Sequence, residues 1–287
     1  MRTIAETDLI LNADGSVYHL NLLPEDLAPT VITVGDPDRV SEVSKHFDSI
    51  ELRKGKREFI THTGYLGSKR ISVVSTGIGT DNIDIVLNEL DALVNIDLAS
   101  RKVKEQLNSL TIVRIGTSGA IQEHIPIDSI LVSEYALGLD ALMLYYGYSN
   151  TVEEQELIEA LNTQVPELKK LNPYFTGAGK ILLDRIGAGL QRGITVTAPG
   201  FYAPQGRTLR YTTRITDLIG KLNQFNYENQ QITNLEMETA GIYALASVLG
   251  HQALSVNSIL ASRVKLEFSK NPQKVVDEAI KLVLERI

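Results

Sequence analysis

Short apolar runs alternate along the chain with longer segments in which apolar residues recur every three or four positions. Runs of β-branched or apolar residues bounded by glycine or proline predict strands. Such runs occur at 31–34, 57–64, 70–76, 110–115, 129–135, 193–198 and 254–261. The second and third runs are separated by Tyr65-Leu66-Gly67-Ser68-Lys69, which predicts a β-hairpin.

Three segments have the spacing of amphipathic or buried helices. Residues 81–98 carry an apolar stripe, and 271–287 opens with Asn271-Pro272, which suits the start of a docked terminal helix. Residues 234–249 are apolar on most sides, with Asn234 as the predicted N-cap and Gly250 as the predicted stop. The alternation of strands with helices predicts an α/β protein.

The chain has no proline-, glycine- or serine-rich linker, internal repeat or low-complexity segment, so we expect residues 1–287 to form a single domain. Residues 1–16 would then be an N-terminal extension. Two stretches, 97–109 and 145–172, interrupt the order of predicted elements and are interpreted as peripheral insertions. The second of them contains a mixed-charge amphipathic helix.

Three glycine-bearing loops are predicted directly after strands, at 35–39, 75–80 and 115–119. Ligands of open α/β sheets bind beyond the carboxyl ends of the strands. Glycine lets backbone N–H groups approach an anion, and threonine and serine add hydroxyl donors. Arg39 and Arg114 accompany two of these loops, and a guanidinium group can bind phosphate bidentately. The pattern predicts an oxyanion site in an α/β enzyme.

Composition narrows the function further. A net charge of −7 argues against general nucleic-acid affinity, so a local arginine cluster would have to bind the anion. The absence of cysteine excludes disulfides and a thiol nucleophile, and the five histidines lack metal-ligand spacing, so we expect no metal centre. The acidic N-terminus is unlike a signal peptide, and no apolar run approaches the roughly 20 residues that span a bilayer. We therefore expect a soluble, cytoplasmic protein without a membrane partner.

Three motifs have competing interpretations. Residues 75–82 approximate a dinucleotide-binding fingerprint, but Asn82 stands where the third glycine belongs. Residues 116–120 fall short of a nucleophile elbow, because Ala120 replaces the closing glycine and no His–Asp pair accompanies it. The basic run at 53–57 fits a solvated strand end better than a nucleic-acid patch.

Two further clusters could recognise an organic substrate. The segment 197–207 offers an aromatic pair, an amide and a guanidinium, which could stack on a planar heterocycle and hydrogen-bond its edge. Glu236 and Glu238 open a predicted buried helix, where a carboxylate needs a ligand hydroxyl or an arginine as its partner. We expect Arg263, at the end of the predicted strand 254–261, to be that arginine.

Five motifs, in this order and spacing, together resemble the nucleoside phosphorylase-I family from about residue 17 to the C-terminus. They are Gly35-Asp36-Pro37-Asp38-Arg39, Lys56-Arg57-Glu58-Phe59, Ser75-Thr76-Gly77-Ile78-Gly79, Arg114-Ile115-Gly116-Thr117-Ser118-Gly119 and Glu236-Met237-Glu238. The resemblance implies a three-layer α/β/α sandwich around a mixed β-sheet. It also implies phosphorolysis of a nucleoside without a protein nucleophile.

The predicted base-binding segment points to the uridine-specific members of this family. Phe201, Gln205 and Arg207 resemble the residues that grip uracil there, whereas Ala261-Ser262-Arg263 lacks the aspartate of the purine-specific hexameric members. The implied reaction converts uridine and phosphate to uracil and ribose 1-phosphate. Purine or broad-specificity phosphorolysis and a non-catalytic nucleoside sensor are the alternatives.

The resemblance also assigns roles to individual residues. It implies a phosphate site of Gly35, Arg39, Arg114 and Thr117, completed by Arg57 from a neighbouring subunit. For ribose it implies Met237 and Glu238, with His19 lent by the neighbour, and for the base Phe201, Gln205 and Arg207. Catalysis would rest on Arg114, Gln205, Arg207 and Glu238.

The same resemblance implies self-association, usually as a hexamer built from dimers, with phosphate as a co-substrate and no cofactor. Asn82 stands where a serine contributes to a monovalent-cation site in some relatives, beside Glu58 and Ile78. Potassium at that position is left open.

Overall fold

A computed structural model describes residues 3–287, which form two compact units. The first unit ends at Val113 and also contains Leu249–Gln252. The second comprises Arg114–Val248 and Ala253–Ile287. Each unit has strands and helices of its own, so the predicted α/β class is confirmed.

The first unit is built on a four-stranded mixed sheet in the order β1-β4-β3-β2. Strand β1 is parallel to β4, whereas β3 is antiparallel to both of its neighbours. A separate short pair, β5 with β6, occupies part of the predicted insertion 97–109. The elements are β1 (Thr30–Val34), α1 (Asp38–Ser44), β2 (Ser49–Lys56), β3 (Phe59–Leu66), β4 (Lys69–Ser75), α2 (Thr80–Asn95), β5 (Ile96–Asp97) and β6 (Lys102–Val103).

The second unit contains a larger mixed sheet in the order β11-β12-β10-β8-β13-β7. Strands β8, β10 and β12 run parallel, and β13 is antiparallel to β8. Its elements are β7 (Thr111–Ala120), β8 (Ile130–Gly138), α3 (Val152–Gln164), β9 (Tyr174–Gly177), α4 (Lys180–Arg185), β10 (Gln191–Thr197), α5 (Leu218–Gln224), β11 (Asn226–Tyr227), β12 (Gln230–Glu236), α6 (Thr239–Leu249), β13 (Gln252–Ser262), β14 (Glu267–Phe268) and α7 (Pro272–Arg286).

The predicted hairpin and the predicted C-terminal helix are both present. Strands β3 and β4 pair from Leu66 and Lys69 onwards, across a turn at Gly67. A second hairpin, β2 with β3, has a two-residue turn in which Arg57 adopts a φ of 58°. Helix α7 starts at Pro272, where the N–H that proline lacks would have no partner within the helix.

The predicted helix 234–249 is wrong in its first turn. Residues 230–236 form strand β12, and helix α6 begins at Thr239. Asn234 is therefore not a helix cap. Its Nδ2 donates to Ser118 Oγ at 2.6 Å, and its Oδ1 accepts from Thr195 Oγ1 at 2.9 Å, so polar pairing with the neighbouring strands β7 and β10 explains a buried asparagine.

The predicted third glycine loop is also wrong, because β7 continues through 115–119 to Ala120. Its glycines are strand residues that make room for side chains. A Cβ on Gly116 would lie 1.8 Å from Arg114 Nη1, and one on Gly119 would lie 3.4 Å from Arg263 Cγ. The glycines therefore serve side-chain packing around two arginines.

Helix α3 lies within the segment 145–172 and contributes to the core of the second unit. Leu157 and Leu161 belong to one buried cluster with Phe175 of β9. The buried Glu154 accepts hydrogen bonds from Tyr148 Oη at 2.8 Å and from the backbone N–H of Gly177 at 2.9 Å. These contacts attach α3 to β9.

Two features are absent from the described residues, 3–287. In this part of the chain no helix is long and apolar enough to cross a membrane. The same residues hold no group of three or more histidines and carboxylates that could bind a metal ion.

Candidate active site

Arg114 is the centre of a buried polar cluster in the second unit. Its guanidinium donates from Nη2 to Glu238 Oε2 at 2.7 Å and lies 2.9 Å from Glu236 Oε2. On the other side Nη1 donates to Asn257 Oδ1 at 3.1 Å. Burial alone would lower the pKa of Arg114, but the two carboxylates outweigh it and hold the pKa above its ordinary value. The arginine therefore remains a cation inside the fold.

Glu236 has a structural explanation that its neighbour Glu238 does not share. It ends β12 beside Thr197, the last residue of β10, and accepts that residue's hydroxyl at 2.7 Å. It also accepts the backbone N–H of Glu238 at 2.9 Å and of Thr239 at 3.0 Å. A carboxylate that receives the first N–H groups of a helix stabilises its N-terminus. Glu236 therefore caps α6.

The predicted pairing of these carboxylates with Arg263 is wrong, since their arginine is Arg114. Strand β12 pairs with β7 through Leu235 and Gly119, and this non-local pairing brings Arg114 to the carboxylates. Arg263 instead donates from Nη1 to the backbone oxygen of Gln205 at 3.0 Å.

The predicted base-binding residues form one cluster around Gln205. The Gln205 side chain is only 3% exposed, and its Oε1 accepts from Arg207 Nη1 at 2.5 Å. The Arg207 guanidinium lies 3.8 Å from the ring centroid of Phe201, which is 51% exposed. Burial and then the nearby Arg263 lower the pKa of Arg207. The amide of Gln205 and the guanidinium of Arg207 therefore meet beside the open ring of Phe201, and Arg263, just after β13, adds a second cation.

Two residues assigned by resemblance alone lie beside the Arg114 cluster in the chain. Thr117 is half-buried in β7, and Met237 is half-buried between Glu236 and Glu238. Ser118, next to Thr117, is fixed by donating its hydroxyl to the backbone oxygen of Leu235 at 3.1 Å. This bond ties β7 to β12 beside both residues.

In the first unit the glycine loops after β1 and β4 lie side by side. The two strands are parallel neighbours, and a Cβ on Gly35 would lie 3.4 Å from the backbone oxygen of Gly77. Gly77 and Gly79 adopt φ values of 70° and 97°, which favour glycine. Arg39 follows in α1, where its backbone N–H donates to Asp36 O at 3.1 Å. The two loops therefore share one edge of their sheet, as predicted.

His19 and Arg57 belong to the same unit. His19 Nδ1 lies 2.6 Å from Glu89 Oε1, a residue of α2 that the sequence did not single out. Glu89 is buried on a helix whose other buried positions are mostly apolar, and that contrast is the signal which could have identified it. Arg57 is exposed at the tip of the β2–β3 hairpin.

The three residues named for a cation also lie in this unit. Asn82 Nδ2 is 3.5 Å from Glu58 Oε1, and a Cβ on Gly77 would lie 2.3 Å from Asn82 Nδ2. Ile78 is 66% exposed on the loop between them. A carboxylate, a side-chain amide and backbone carbonyls are oxygen donors of the type that bind alkali cations.

Comparisons with known proteins give a consistent result. The family model described as the phosphorylase superfamily matches residues 29–287. A uridine phosphorylase from Thermococcus kodakarensis is 30% identical over 279 residues, which cover 95% of this chain and 88% of the relative. The uridine phosphorylase of Escherichia coli is 29% identical over 275 residues, covering 94% and 96%.

A solved structure of a Trypanosoma brucei nucleoside phosphorylase, described as showing uridine phosphorylase activity, has a similar fold. It matches with a TM-score of 0.90 at 30% sequence identity, over 97% of this chain and 99% of that chain.

Proposed function

Because the chain belongs to the phosphorylase superfamily, we propose that it catalyses the reversible phosphorolysis of uridine to uracil and ribose 1-phosphate. It is then a pentosyltransferase of pyrimidine nucleoside salvage, acting in the cytoplasm. The choice of uracil as the base rests on the cluster of Gln205, Arg207 and Phe201. A buried amide bonded to Arg207, beside the exposed face of Phe201, presents donors and an acceptor to a flat heterocycle.

Phosphate is bound in this proposal by Gly35, Arg39, Arg114 and Thr117, and by the partner subunit's Arg57. In this proposal the guanidinium groups of Arg39, Arg114 and the partner subunit's Arg57 bind the phosphate dianion. Held close to C1′ of the ribosyl group, it both attacks that carbon and stabilises the cationic ribosyl ring of the transition state.

Ribose is bound by Met237 and Glu238, with the partner subunit's His19 at the 5′-hydroxyl. The Glu238 carboxylate accepts hydrogen bonds from the 2′- and 3′-hydroxyls while Arg114 holds it in place at 2.7 Å. A carboxylate already fixed by a guanidinium loses little freedom when the sugar binds, which favours both binding and orientation.

Departure of the base needs no protonating acid. Uracil leaves as an N1 anion whose charge is delocalised onto its two carbonyl oxygens, and Gln205 and Arg207 stabilise that charge as it develops. Purine phosphorolysis, the alternative, uses an aspartate near the end of β13 to serve N7. The corresponding position here is occupied by Arg263, which donates to the Gln205 backbone oxygen. A sensor would have no use for the three arginines that this proposal assigns to phosphate.

A nucleoside panel tests this choice of substrate. With phosphate present, uridine should release its base, whereas inosine and adenosine should not. Arg207→Met should lower kcat/KM for uridine about a hundredfold, as expected for loss of a charged transition-state contact. Arg210→Met is the matched control, because Arg210 lies three residues after Arg207 and both contacts described for its side chain are with Tyr211. Preferential release of a purine would contradict the proposal.

The site is completed between subunits in this proposal, so the smallest active species is a dimer, within a homohexamer built as a trimer of dimers. A double variant lacking His19 and Arg57 and a second lacking Gln205 and Arg207 should each be inactive. After subunit exchange, each mixed dimer contains one intact site, and part of the activity should return. Verified exchange without recovery, or a fully active monomer, would refute the shared site.

The proposal also includes a potassium site at Glu58, Ile78 and Asn82. Glu58, Asn82 and the backbone of Ile78 offer oxygen donors that fit it, although Asn82 Nδ2 rather than Oδ1 now faces Glu58. The ion would tie the hairpin turn to the start of α2 and supply no chemistry. Replacing K⁺ by a bulky organic cation in the assay tests whether activity depends on it.

A further inference from the structure

His19 is held by a single buried carboxylate. Glu89, which is 8% exposed on α2, accepts from the His19 ring through Oε1, with Nδ1 at 2.6 Å. The same carboxylate accepts the backbone N–H of His19 at 3.0 Å and of Leu20 at 2.8 Å. Three donors from two consecutive residues therefore converge on one side chain, which fixes both the backbone and the ring.

The contact also decides which ring nitrogen carries a proton. A carboxylate oxygen can only accept, so Nδ1 must present its N–H to Glu89. In the neutral imidazole, Nε2 is then the acceptor. No protein group of residues 3–287 forms a hydrogen bond with Nε2, and the side chain is 26% exposed. The hydrogen bonds described for this ring therefore leave Nε2 available to a hydroxyl donor.

A second anchor fixes the chain before His19. Lys56, next to Arg57 at the end of β2, donates from Nζ to the Tyr18 backbone oxygen at 2.6 Å. The same Nζ lies 3.7 Å from the centroid of the Tyr18 ring, which packs edge-on against His19 at 4.9 Å. A histidine left to solvent would need neither anchor. The fold has fixed this one before any ligand arrives.

We propose that Glu89 is a positioning residue for the reaction. It fixes the ring orientation and tautomer of His19, so that Nε2 accepts a hydrogen bond from the 5′-hydroxyl of the ribose bound by the neighbouring subunit. This inference rests on the proposed function. Glu89 thereby preorganises the site, because a histidine that is already ordered loses less side-chain entropy when the substrate binds.

The experiment compares uridine with 5′-deoxyuridine, which lacks the hydroxyl in question. The wild-type enzyme should prefer uridine in kcat/KM by about tenfold, the value of one good hydrogen bond. Glu89→Gln, His19→Ala and the double variant should all reduce this preference to near one. For Glu89→Gln, kcat/KM for 5′-deoxyuridine should change less than about twofold. The double variant should be no worse than either single variant, because both act through one contact.

Asp91→Asn is the matched control. Asp91 is also on α2 and lies 3.3 Å from the ring of another histidine, His251, so the substitution removes a second carboxylate–imidazole contact. It should leave the preference for uridine at the wild-type value. Loss of the preference in this variant would show that a general disturbance of α2 explains the result, and would overturn the proposal.

The outcomes separate this inference from the proposed function. If the wild-type enzyme cleaves no uridine, the proposed function fails. If it prefers uridine and Glu89→Gln keeps that preference, only the role of Glu89 fails. A second measurement needs no variant: ¹⁵N NMR of the wild-type protein at pH 8 without substrate should show His19 protonated at Nδ1 and not at Nε2. The opposite tautomer would overturn the proposal.

Discussion

Replacement of Arg114 by methionine should lower the stability of the fold as well as the activity. The guanidinium lies 2.9 Å from Glu236 and 2.7 Å from Glu238, and the three residues are between 5% and 6% exposed. Removing one partner of a buried ion pair costs about 3–5 kcal/mol, because a buried charge is then left uncompensated. Glu236 keeps a hydroxyl and two N–H donors, so we expect a loss of about 3 kcal/mol.

The loss should be partly reversible without recovery of function. In Arg114→Met/Glu238→Gln, the second substitution removes the charge that has lost its guanidinium partner, and a neutral amide is less costly to bury. We expect the double variant to regain about 1–2 kcal/mol relative to Arg114→Met. Both should be inactive under the proposed function, which assigns phosphate binding to Arg114.

Urea unfolding at pH 7 measures these differences. The wild-type protein, the two single variants and the double variant complete a double-mutant cycle in which Glu238→Gln is the control. The slopes of unfolding should agree, so that the midpoints report stability. A wild-type midpoint for Arg114→Met would refute the claim that the ion cluster stabilises the fold. A double variant no more stable than Arg114→Met would show that Glu238 is not the source of the loss.

Three further substitutions test separate parts of the account. Gly116→Ala would place a Cβ 1.8 Å from Arg114 Nη1, so it should displace the guanidinium and raise KM for phosphate; an unchanged KM would contradict this. Burial raises the pKa of Tyr243 in the folded protein, so the unfolded state loses the phenol proton at a lower pH, above about pH 10. The stability of the wild-type protein should therefore fall above this pH, by up to about 1.4 kcal/mol per pH unit more than the stability of Tyr243→Phe. Parallel stability curves would contradict that linkage. Lys56→Met should loosen His19 and raise KM for uridine but not for 5′-deoxyuridine, and an equal rise for both would argue against positioning.

The spacing of apolar residues was sufficient to predict those strands and helices that bury a regular apolar face. The strands at 31–34 and 70–76 were predicted to within a residue, and because they are parallel neighbours, their glycine loops meet as expected. The helix at 271–287 was equally readable, since its buried positions recur with helical spacing after Asn271-Pro272.

Strand β12 was missed because polar side chains occupy three of its five buried positions. Thr233 and Asn234 are buried, yet their partners are hydroxyl groups and a backbone oxygen on neighbouring strands, which no local pattern shows. The same pairing explains the error over Arg263. Glu236 pairs with Arg114 and not with Arg263 because β7 lies beside β12 in the sheet. The order of strands in a sheet cannot be predicted from local sequence.

The residues of the candidate site were predicted by motif, but their supports were not. Gln205 and Arg207 could be named from a loop sequence, whereas the contact that holds Gln205 comes from Arg263, just after β13 and 58 residues further along the chain. Glu89 likewise acts on His19 across 70 residues of sequence. Supporting contacts of this kind arise from tertiary packing, so a single sequence indicates them only as a charged residue in an apolar face.

Phosphate dependence tests the central claim most directly. The purified protein is incubated with uridine in phosphate buffer and in phosphate-free buffer, and uracil and ribose 1-phosphate are quantified together. Uracil should form only when phosphate is present, in equal amount to ribose 1-phosphate, because the proposed function assigns the arginines of the site to the attacking anion. Equal release of uracil without phosphate, with free ribose as the second product, would identify a hydrolase and contradict the account.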